Sequence, residues 1–183
     1  RVFTLTSFKK GEGKSFTIIS LAYAISVLNK KVLLIDTNFQ SNRLTKNFGV
    51  KPMFELLCEE LTVLSKNGSN IDESLVINKH YFKEISKNVF ILGSKSSNLS
   101  PREILSQYNF EFILEKLKEN FDYIFLEGAA LNEFSDAKEL VPYTESIITI
   151  LSAKSEYKQQ DKDSVNYLKG LNSKRGPVIL NNV

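Results

Sequence analysis

The chain has 183 residues, of which 42% are apolar and 25% are charged, and its formal net charge is +3. This composition is close to that of an ordinary globular protein, and the small positive excess indicates a solvated surface more than an attraction to anions. The single cysteine, Cys58, excludes an internal disulfide, and no apolar run is long enough to cross a bilayer. Cys58 lies in an apolar run and is expected to be a buried thiol.

The length suits one domain, and we expect residues 1–183 to form it. The sequence begins at Arg1 inside a predicted strand and ends at Val183 just after another. We therefore expect this domain to be part of a longer chain, with flanking segments, including any membrane anchor, outside it.

The first elements of the chain are predicted as strand, loop, helix and strand. The apolar run Val2–Thr6 indicates a strand, and the glycine-containing stretch Ser7–Gly13 indicates a loop. Between Ser15 and Asn29 the apolar residues recur on one helix face, and Asn29 is suited to end that helix. The apolar run Lys31–Asp36 is typical of a strand covered on both faces.

The middle of the chain carries weaker signals until residue 88. Phe54–Leu57 indicates a short helix, and Lys66–Asn70 has the composition of a loop. Asn88–Gly93 is predicted to be the third strand and its turn.

A strong helix start lies at Ser100. This serine can cap the helix, Pro101 suits the first helical position, and Glu103 completes a capping box. The helical pattern continues to Lys118, with a break predicted near Asn109.

The last part of the chain again alternates strands with a helix. Strands are predicted at Phe121–Glu127, Ser146–Leu151 and Pro177–Asn181, and a polar helix at Glu156–Leu171. Strands that alternate with helices predict an α/β fold with a mostly parallel sheet and helices on both faces.

The run Gly11–Ser15 lies between the first strand and the first helix and has the composition of a phosphate-binding loop. Gly11, Glu12 and Gly13 would offer backbone N–H groups to phosphate oxygens, and the helix would point its N-terminal dipole at the same anion. Lys14 would reach the β- and γ-phosphates and the Ser15 hydroxyl would bind Mg²⁺; the next residue, Phe16, joins the nucleotide-binding candidates.

The match to the usual G-x-x-x-x-G-K-[ST] pattern is imperfect, because the first glycine position is Phe8 here. The alternative is a lysine-bearing turn that happens to precede a helix. The order of strand, loop and helix favours a P-loop that binds ATP or ADP.

Two acidic residues follow apolar strands downstream of this loop, Asp36 after the second and Glu127 after the fourth. Either could be a solvated acid at a strand end. In P-loop proteins, carboxylates at neighbouring strand ends serve the metal, so the candidate Mg²⁺ ligands are Ser15, Asp36 and Glu127. The candidate catalytic residues are Lys14 and Asp36.

Four segments together make the sequence recognisable: Thr6–Ser15, Val32–Asp36, Leu99–Leu105 and Phe121–Ile124. They resemble the phosphate loop, the second acidic strand (Walker A′), an Asn-Pro-x-Glu-Leu-Leu segment and the approach to Walker B. With them, the chain resembles the cytoplasmic ATPase domain of bacterial tyrosine kinases of capsule and exopolysaccharide synthesis. Those kinases belong to the MinD/ParA-like group of P-loop proteins.

The resemblance implies ATP or ADP and Mg²⁺ as cofactors and tyrosines of a neighbouring subunit as substrate. It also implies self-association, an inner-membrane polysaccharide co-polymerase segment that is fused or separate, and a place at the cytoplasmic face of the inner membrane. No basic stripe interleaved with aromatic residues is present, so nucleic acid is not an expected partner.

The chain departs from this family at two acidic motifs. The family usually has Asp-x-Asp in Walker A′, where this chain has Asp36, Thr37 and Asn38, and usually ends Walker B in Asp, where this chain has Glu127. Asn38 carries no charge and cannot act as a base, and Mg²⁺ demands near-ideal octahedral geometry. Two cases therefore stay open: an active kinase, and a degenerate domain that regulates an assembly.

Two further functions stay open. A MinD/ParA-like positioning ATPase would use Lys9, which lies where those proteins carry a second, signature lysine. Its neighbour is Lys10 rather than glycine, and both lysines are interpreted as loop-surface charges. The remaining alternative is an interaction module that keeps the scaffold and binds no nucleotide.

Overall fold

The computed structural model describes residues 1–67, 79–133 and 136–182. In these residues the strands form one sheet, with the spatial order β3-β4-β2-β5-β1-β6-β7. Their bounds are β1 (Val2–Ser7), β2 (Val32–Ile35), β3 (Lys83–Ser86), β4 (Val89–Leu92), β5 (Tyr123–Ala130), β6 (Ser146–Ser152) and β7 (Arg175–Asn181). Neighbouring strands are parallel except β3 and β4, which pair antiparallel. The prediction of a mostly parallel sheet is confirmed.

Helices cover both faces of this sheet, as predicted. They are α1 (Lys14–Ser26), α2 (Arg43–Asn47), α3 (Phe54–Asn67), α4 (Pro101–Leu105), α5 (Phe110–Lys118), α6 (Asp136–Glu139) and α7 (Gln159–Gly170). On one face, Ile18 of α1 and Leu44 of α2 pack with Leu34 of β2. On the other face, residues of α3, α4 and α5 pack with Leu33 and Ile35 of the same strand. The central strand β2 is therefore fully buried, which explains its unbroken apolar sequence.

The capping signals predicted the helix boundaries after residue 99 correctly. The Ser100 N–H donates to Glu103 Oε2 at 2.8 Å, and the Glu103 N–H donates to Ser100 Oγ at 3.3 Å. The predicted break near Asn109 is also confirmed, because the Asn109 side chain caps the N-terminus of α5. At the end of α1, Asn29 has a positive φ of 58° and ends the turn that follows the helix.

Several element predictions were wrong between residues 37 and 93. The short helix predicted at Phe54–Leu57 is the start of the 14-residue helix α3, which includes Lys66 and Asn67 of the predicted loop; residues 68–70 lie outside the described residues. The strand predicted as the third is the fourth, β4, because β3 precedes it. The β3 sequence, Lys-Glu-Ile-Ser, is at a sheet edge with partly exposed side chains and carries no buried apolar pattern.

Cys58 is buried, as predicted, and burial raises the pKa of its thiol. None of the helices in the three described ranges is both long and apolar enough to cross a bilayer.

Candidate functional site

A cavity of about 410 Å³ lies where the carboxyl ends of β1, β2 and β5 meet, a volume within the range of small-molecule sites. It is lined by the phosphate loop, the connection from β2 to α2, and the end of β5. Six of the sequence-predicted site residues line it: Gly11, Gly13, Lys14, Ser15, Phe16 and Glu127. The other two, Glu12 and Asp36, are buried beside the cavity and not in its lining.

The conformation of the phosphate loop requires its glycines. Gly11 has φ 88°, and Gly13, directly before α1, has φ 96°, a left-handed conformation that side chains disfavour. A Cβ atom on Gly13 would also lie 2.0 Å from Nδ2 of Asn181, at the end of β7. Asn181 in turn donates to the Glu12 carbonyl at 3.1 Å, so the last strand holds the loop from outside.

Glu12 directs its side chain into the loop. Its Oε2 atom accepts the N–H groups of Phe8 at 2.9 Å and Lys9 at 3.0 Å, and the carboxylate is buried. The N–H groups of residues 11–16 have no hydrogen-bond acceptor in the described part of the chain. The side chain of Glu12 thus shapes the loop, while backbone donors stay available for an anion.

Lys14 and Ser15 each contact a polar group beside the cavity. The Lys14 ammonium donates to Ser7 Oγ at 2.9 Å, and burial lowers the pKa of Lys14, against the opposing effect of the Glu127 charge. The Ser15 hydroxyl donates to Glu127 Oε1 at 2.5 Å. Because the Ser15 hydroxyl donates its only hydrogen to Glu127, the lone pairs of its oxygen remain free to bind a cation.

Glu127 and Asp36 are both buried carboxylates. Burial, followed by the charge of Asp36, raises the pKa of Glu127 to about 7, and burial also raises the pKa of Asp36. Asp36 Oδ2 accepts the Thr45 N–H at 2.8 Å and the Thr45 hydroxyl at 2.7 Å. Among the described residues, Asp36 Oδ1 and Glu127 Oε2 are buried and have no hydrogen-bond partner.

These two unpartnered carboxylate oxygens and the Ser15 hydroxyl fit a hard cation such as Mg²⁺, which prefers oxygen ligands. Across residues 1–67, 79–133 and 136–182, no cluster of three or more His, Cys, Asp or Glu side chains could hold a metal alone. A cation here would therefore need oxygens from a bound ligand, which is how Mg²⁺ is held with nucleotide phosphates.

The two asparagines that follow Asp36, Asn38 and Asn42, differ in their surroundings. Asn38 is 9% exposed and lines the cavity, close enough to contact a ligand. Asn42, in contrast, is buried with a positive φ of 31°, and its side chain donates to the Ser94 carbonyl at 3.1 Å. Asn42 therefore shapes the start of α2.

The interpretation of Lys9 as a loop-surface charge was wrong, whereas Lys10 is exposed, as expected. The Lys9 ammonium is paired with the buried Asp161 carboxylate at 2.9 Å and also contacts the Glu156 carbonyl. Lys10 lines the cavity. Lys9 finds these partners because α7 begins beside the loop, a tertiary contact that local sequence does not encode.

Sequence reasoning missed three residues at or around the cavity: Arg43, Asp161 and Asn181. Arg43 lines the cavity from α2, a helix too short to be seen in the sequence. Asn181 had a usable signal, because it ends an apolar strand as Asp36 does. Asp161 had none, since it lies among other charged residues on a polar helix.

A protein-family model described as an AAA domain matches residues 1–157. The tyrosine-protein kinase CpsD of Streptococcus pneumoniae is 23% identical over 181 residues, covering 99% of this chain and 75% of CpsD. The septum site-determining protein MinD of Synechocystis is 27% identical over 167 residues, covering 88% of this chain and 57% of MinD. The chain thus spans little more than half of one curated relative and three quarters of the other.

Among solved structures, the VpsO kinase domain is 26% identical and matches with a TM-score of 0.76, covering 100% of this chain and 85% of that domain. The predicted resemblance to bacterial tyrosine kinases within the MinD/ParA-like group is confirmed by these similarities, as is the P-loop type of α/β fold.

Proposed function

The chain belongs to the AAA domain family, and on that premise we propose that it binds ATP with Mg²⁺ as the nucleotide-binding domain of a bacterial tyrosine kinase of capsule or exopolysaccharide synthesis. One observation carries the proposal. Lys14, Ser15, Glu127 and the unpaired N–H groups of residues 11–16 lie at one cavity, and the second buried acid, Asp36, lies beside it. This combination suits a polyphosphate and its cation.

In this proposal each group has a defined task. The N–H groups of residues 11–16 cradle the phosphate chain, and the Lys14 ammonium exchanges its contact with Ser7 for a phosphate oxygen. Ser15, Asp36 and Glu127 hold Mg²⁺, which would offset phosphate charge during phosphoryl transfer. Phe16, 70% exposed at the cavity, offers an aromatic surface to the nucleotide.

The activity of the whole protein is proposed from its relatives. CpsD and VpsO are named as kinases, and we infer that this domain transfers phosphate to tyrosines on a neighbouring subunit, or regulates an assembly as a degenerate copy. Its partners would be further copies of itself and an inner-membrane polysaccharide co-polymerase segment. It would act at the cytoplasmic face of the membrane.

Calorimetric titration of ATP and ADP, with and without Mg²⁺, tests the nucleotide proposal. Wild-type protein should bind ATP more tightly with Mg²⁺, and Lys14→Ala should weaken binding by at least about tenfold, because a charge-assisted contact is lost. Lys30→Ala removes a surface lysine that pairs with Asp122 and should leave the affinity unchanged. Absence of binding in the wild type would instead favour the nucleotide-free interaction module.

A MinD/ParA-like positioning ATPase is the second candidate, favoured by the identity to MinD. It would require Lys9 to contact the nucleotide of a partner, and so to leave its contact with Asp161. Analytical ultracentrifugation with ATP and Mg²⁺ separates the candidates. An ATP-dependent dimer that Lys9→Ala abolishes would support this function, and an unchanged association state in the variant would exclude it.

A further inference from the structure

Arg43 is a cationic residue of the cavity. It is the first residue of α2 and lines the cavity together with Lys14 and Ser15. In the described parts of the chain its guanidinium makes no hydrogen bond or ion pair. Five N–H donors are therefore available at a cavity that already contains the partly buried ammonium of Lys14.

The backbone that carries Arg43 is held firmly in place. Leu44 is fully buried in the core, and Thr45 donates both its N–H and its hydroxyl to Asp36. The Ser94 N–H donates to Thr45 Oγ1 at 3.1 Å, and the Ser94 carbonyl accepts a hydrogen bond from the Asn42 side-chain amide. Asp36 thus fixes the turn that places Arg43 at the cavity.

The charges around the cavity explain why an arginine is placed here. Burial has the largest influence on the pKa of both Lys14 and Glu127, and the Arg43 charge also acts on both, which places the three groups within one electrostatic environment. Lys10 adds a further cation to the lining. Arg43 is exposed at the cavity, and a ligand with several negative charges could contact all three cations there.

We propose that Arg43 binds the terminal phosphate of the nucleotide and makes the site prefer a triphosphate over a diphosphate. This inference rests on the proposed nucleotide binding. Arg43 and Asn38 both line this cavity, and Ser15, Asp36 and Glu127, which would hold the cation, lie in it or beside it. A cation held there would offset the charge of the phosphates. A planar guanidinium suits bidentate contact with phosphate oxygens.

Calorimetry with ADP and with a non-hydrolysable ATP analogue, both with Mg²⁺, tests this assignment on Arg43→Gln, Arg43→Lys and Lys46→Gln. We expect Arg43→Gln to lower the affinity for the triphosphate analogue by about tenfold and the affinity for ADP by less than about twofold. The affinity of Arg43→Lys for the triphosphate analogue should lie between those of the wild type and Arg43→Gln, because lysine keeps the positive charge but lacks the planar, bidentate guanidinium group. Lys46, exposed on the same helix and bonded to the Ser41 carbonyl, is the matched control and should have no effect.

The outcomes separate the two proposals. Equal affinities of wild type and Arg43→Gln for both ligands would overturn the assignment of Arg43 and leave nucleotide binding intact. An equal loss of affinity for both ligands in Arg43→Gln would overturn the assignment of Arg43 to the terminal phosphate. A wild type that binds neither ligand would overturn the proposed function itself. Matched melting temperatures exclude a folding defect, which is not expected for an exposed side chain.

Discussion

The ammonium of Lys9 lies 2.9 Å from the carboxylate of Asp161, a side chain that is only 1% exposed. The same carboxylate accepts the Lys158 N–H at 2.5 Å and the Asn132 amide at 2.6 Å. Burial would raise the pKa of Asp161, but these hydrogen bonds and the Lys9 charge together hold it below its usual range. One buried acid therefore joins the phosphate loop, the start of α7 and the segment after β5.

Asp161→Ala should lower the free energy of unfolding by about 2–3 kcal/mol, because several donors lose one buried acceptor. Asp163→Ala, an exposed change on the same helix, should alter it by less than about 0.5 kcal/mol. Urea denaturation of both variants at pH 7 measures the difference. Equal free energies of unfolding for Asp161→Ala and Asp163→Ala would show that the Asp161 contacts make no net contribution to stability.

Gly13→Ala should both destabilise the fold and weaken nucleotide binding. The left-handed backbone and the approach of Asn181 together predict a loss of about 1–3 kcal/mol. Gly170→Ala is the matched control, since no atom lies within 4 Å of its added Cβ and the change should be within about 1 kcal/mol of neutral. Thermal unfolding and calorimetry measure the two effects, and a Gly13→Ala protein with wild-type stability would contradict the loop geometry.

Glu127 should make the cation-free protein less stable as the pH rises. Its pKa is raised from 4.5 to about 7, so both folded and unfolded chains bind the proton below pH 4.5. Between pH 4.5 and 7 the unfolded chain loses that proton while the folded chain keeps it. The free energy of unfolding therefore falls through this window and levels off above it.

The Gln side chain in Glu127→Gln cannot ionise, so this variant should lack most of the fall in unfolding free energy, which is roughly 2.5 kcal/mol between pH 5 and pH 8 in the wild type. Some slope should remain, because burial also raises the pKa of Asp36. Urea denaturation in chelator at pH 5, 6, 7 and 8 tests this, with the exposed change Glu111→Gln as control. Parallel pH profiles for wild type and Glu127→Gln would refute the buried, protonated state.

Asn38→Asp distinguishes the active from the degenerate kinase. Asn38 lines the cavity, so an aspartate there would add a carboxylate next to the proposed cation. If the domain is already active, phosphate transfer from ATP to tyrosine should change little; if it is degenerate, transfer should rise by about tenfold or more. Radiolabel transfer on the longest available chain measures it, with Lys14→Ala as the inactive control.

Much of the sheet was predictable because its strands are buried on both faces. Val32–Ile35 is apolar at every position for that reason, and a chain whose strands alternate with helices has few topologies open to it. The phosphate loop was equally predictable from the sequence, because Gly13 followed by Lys14 at the start of a helix is the order that a phosphate-binding loop requires.

The cavity wall formed by α2 was not predictable, because five residues give too short a pattern for helical periodicity. The role of Asp36 also escaped sequence reasoning in part. A carboxylate at a strand end suggests a cation, but the contact with Thr45 shows that one of its oxygens holds α2. The edge strand β3 was missed because exposed strands need no apolar alternation.

The hydrogen bond from the Asn181 side chain to the Glu12 carbonyl has a consequence for protein synthesis. The phosphate loop leaves the ribosome before Asp161 and Asn181, which hold it from outside. A nascent chain that reaches only Ser152 already has Lys14, Asp36 and Glu127 but lacks both restraints. At that stage the phosphate loop still lacks the contacts with Asp161 and Asn181 that hold it in the folded domain.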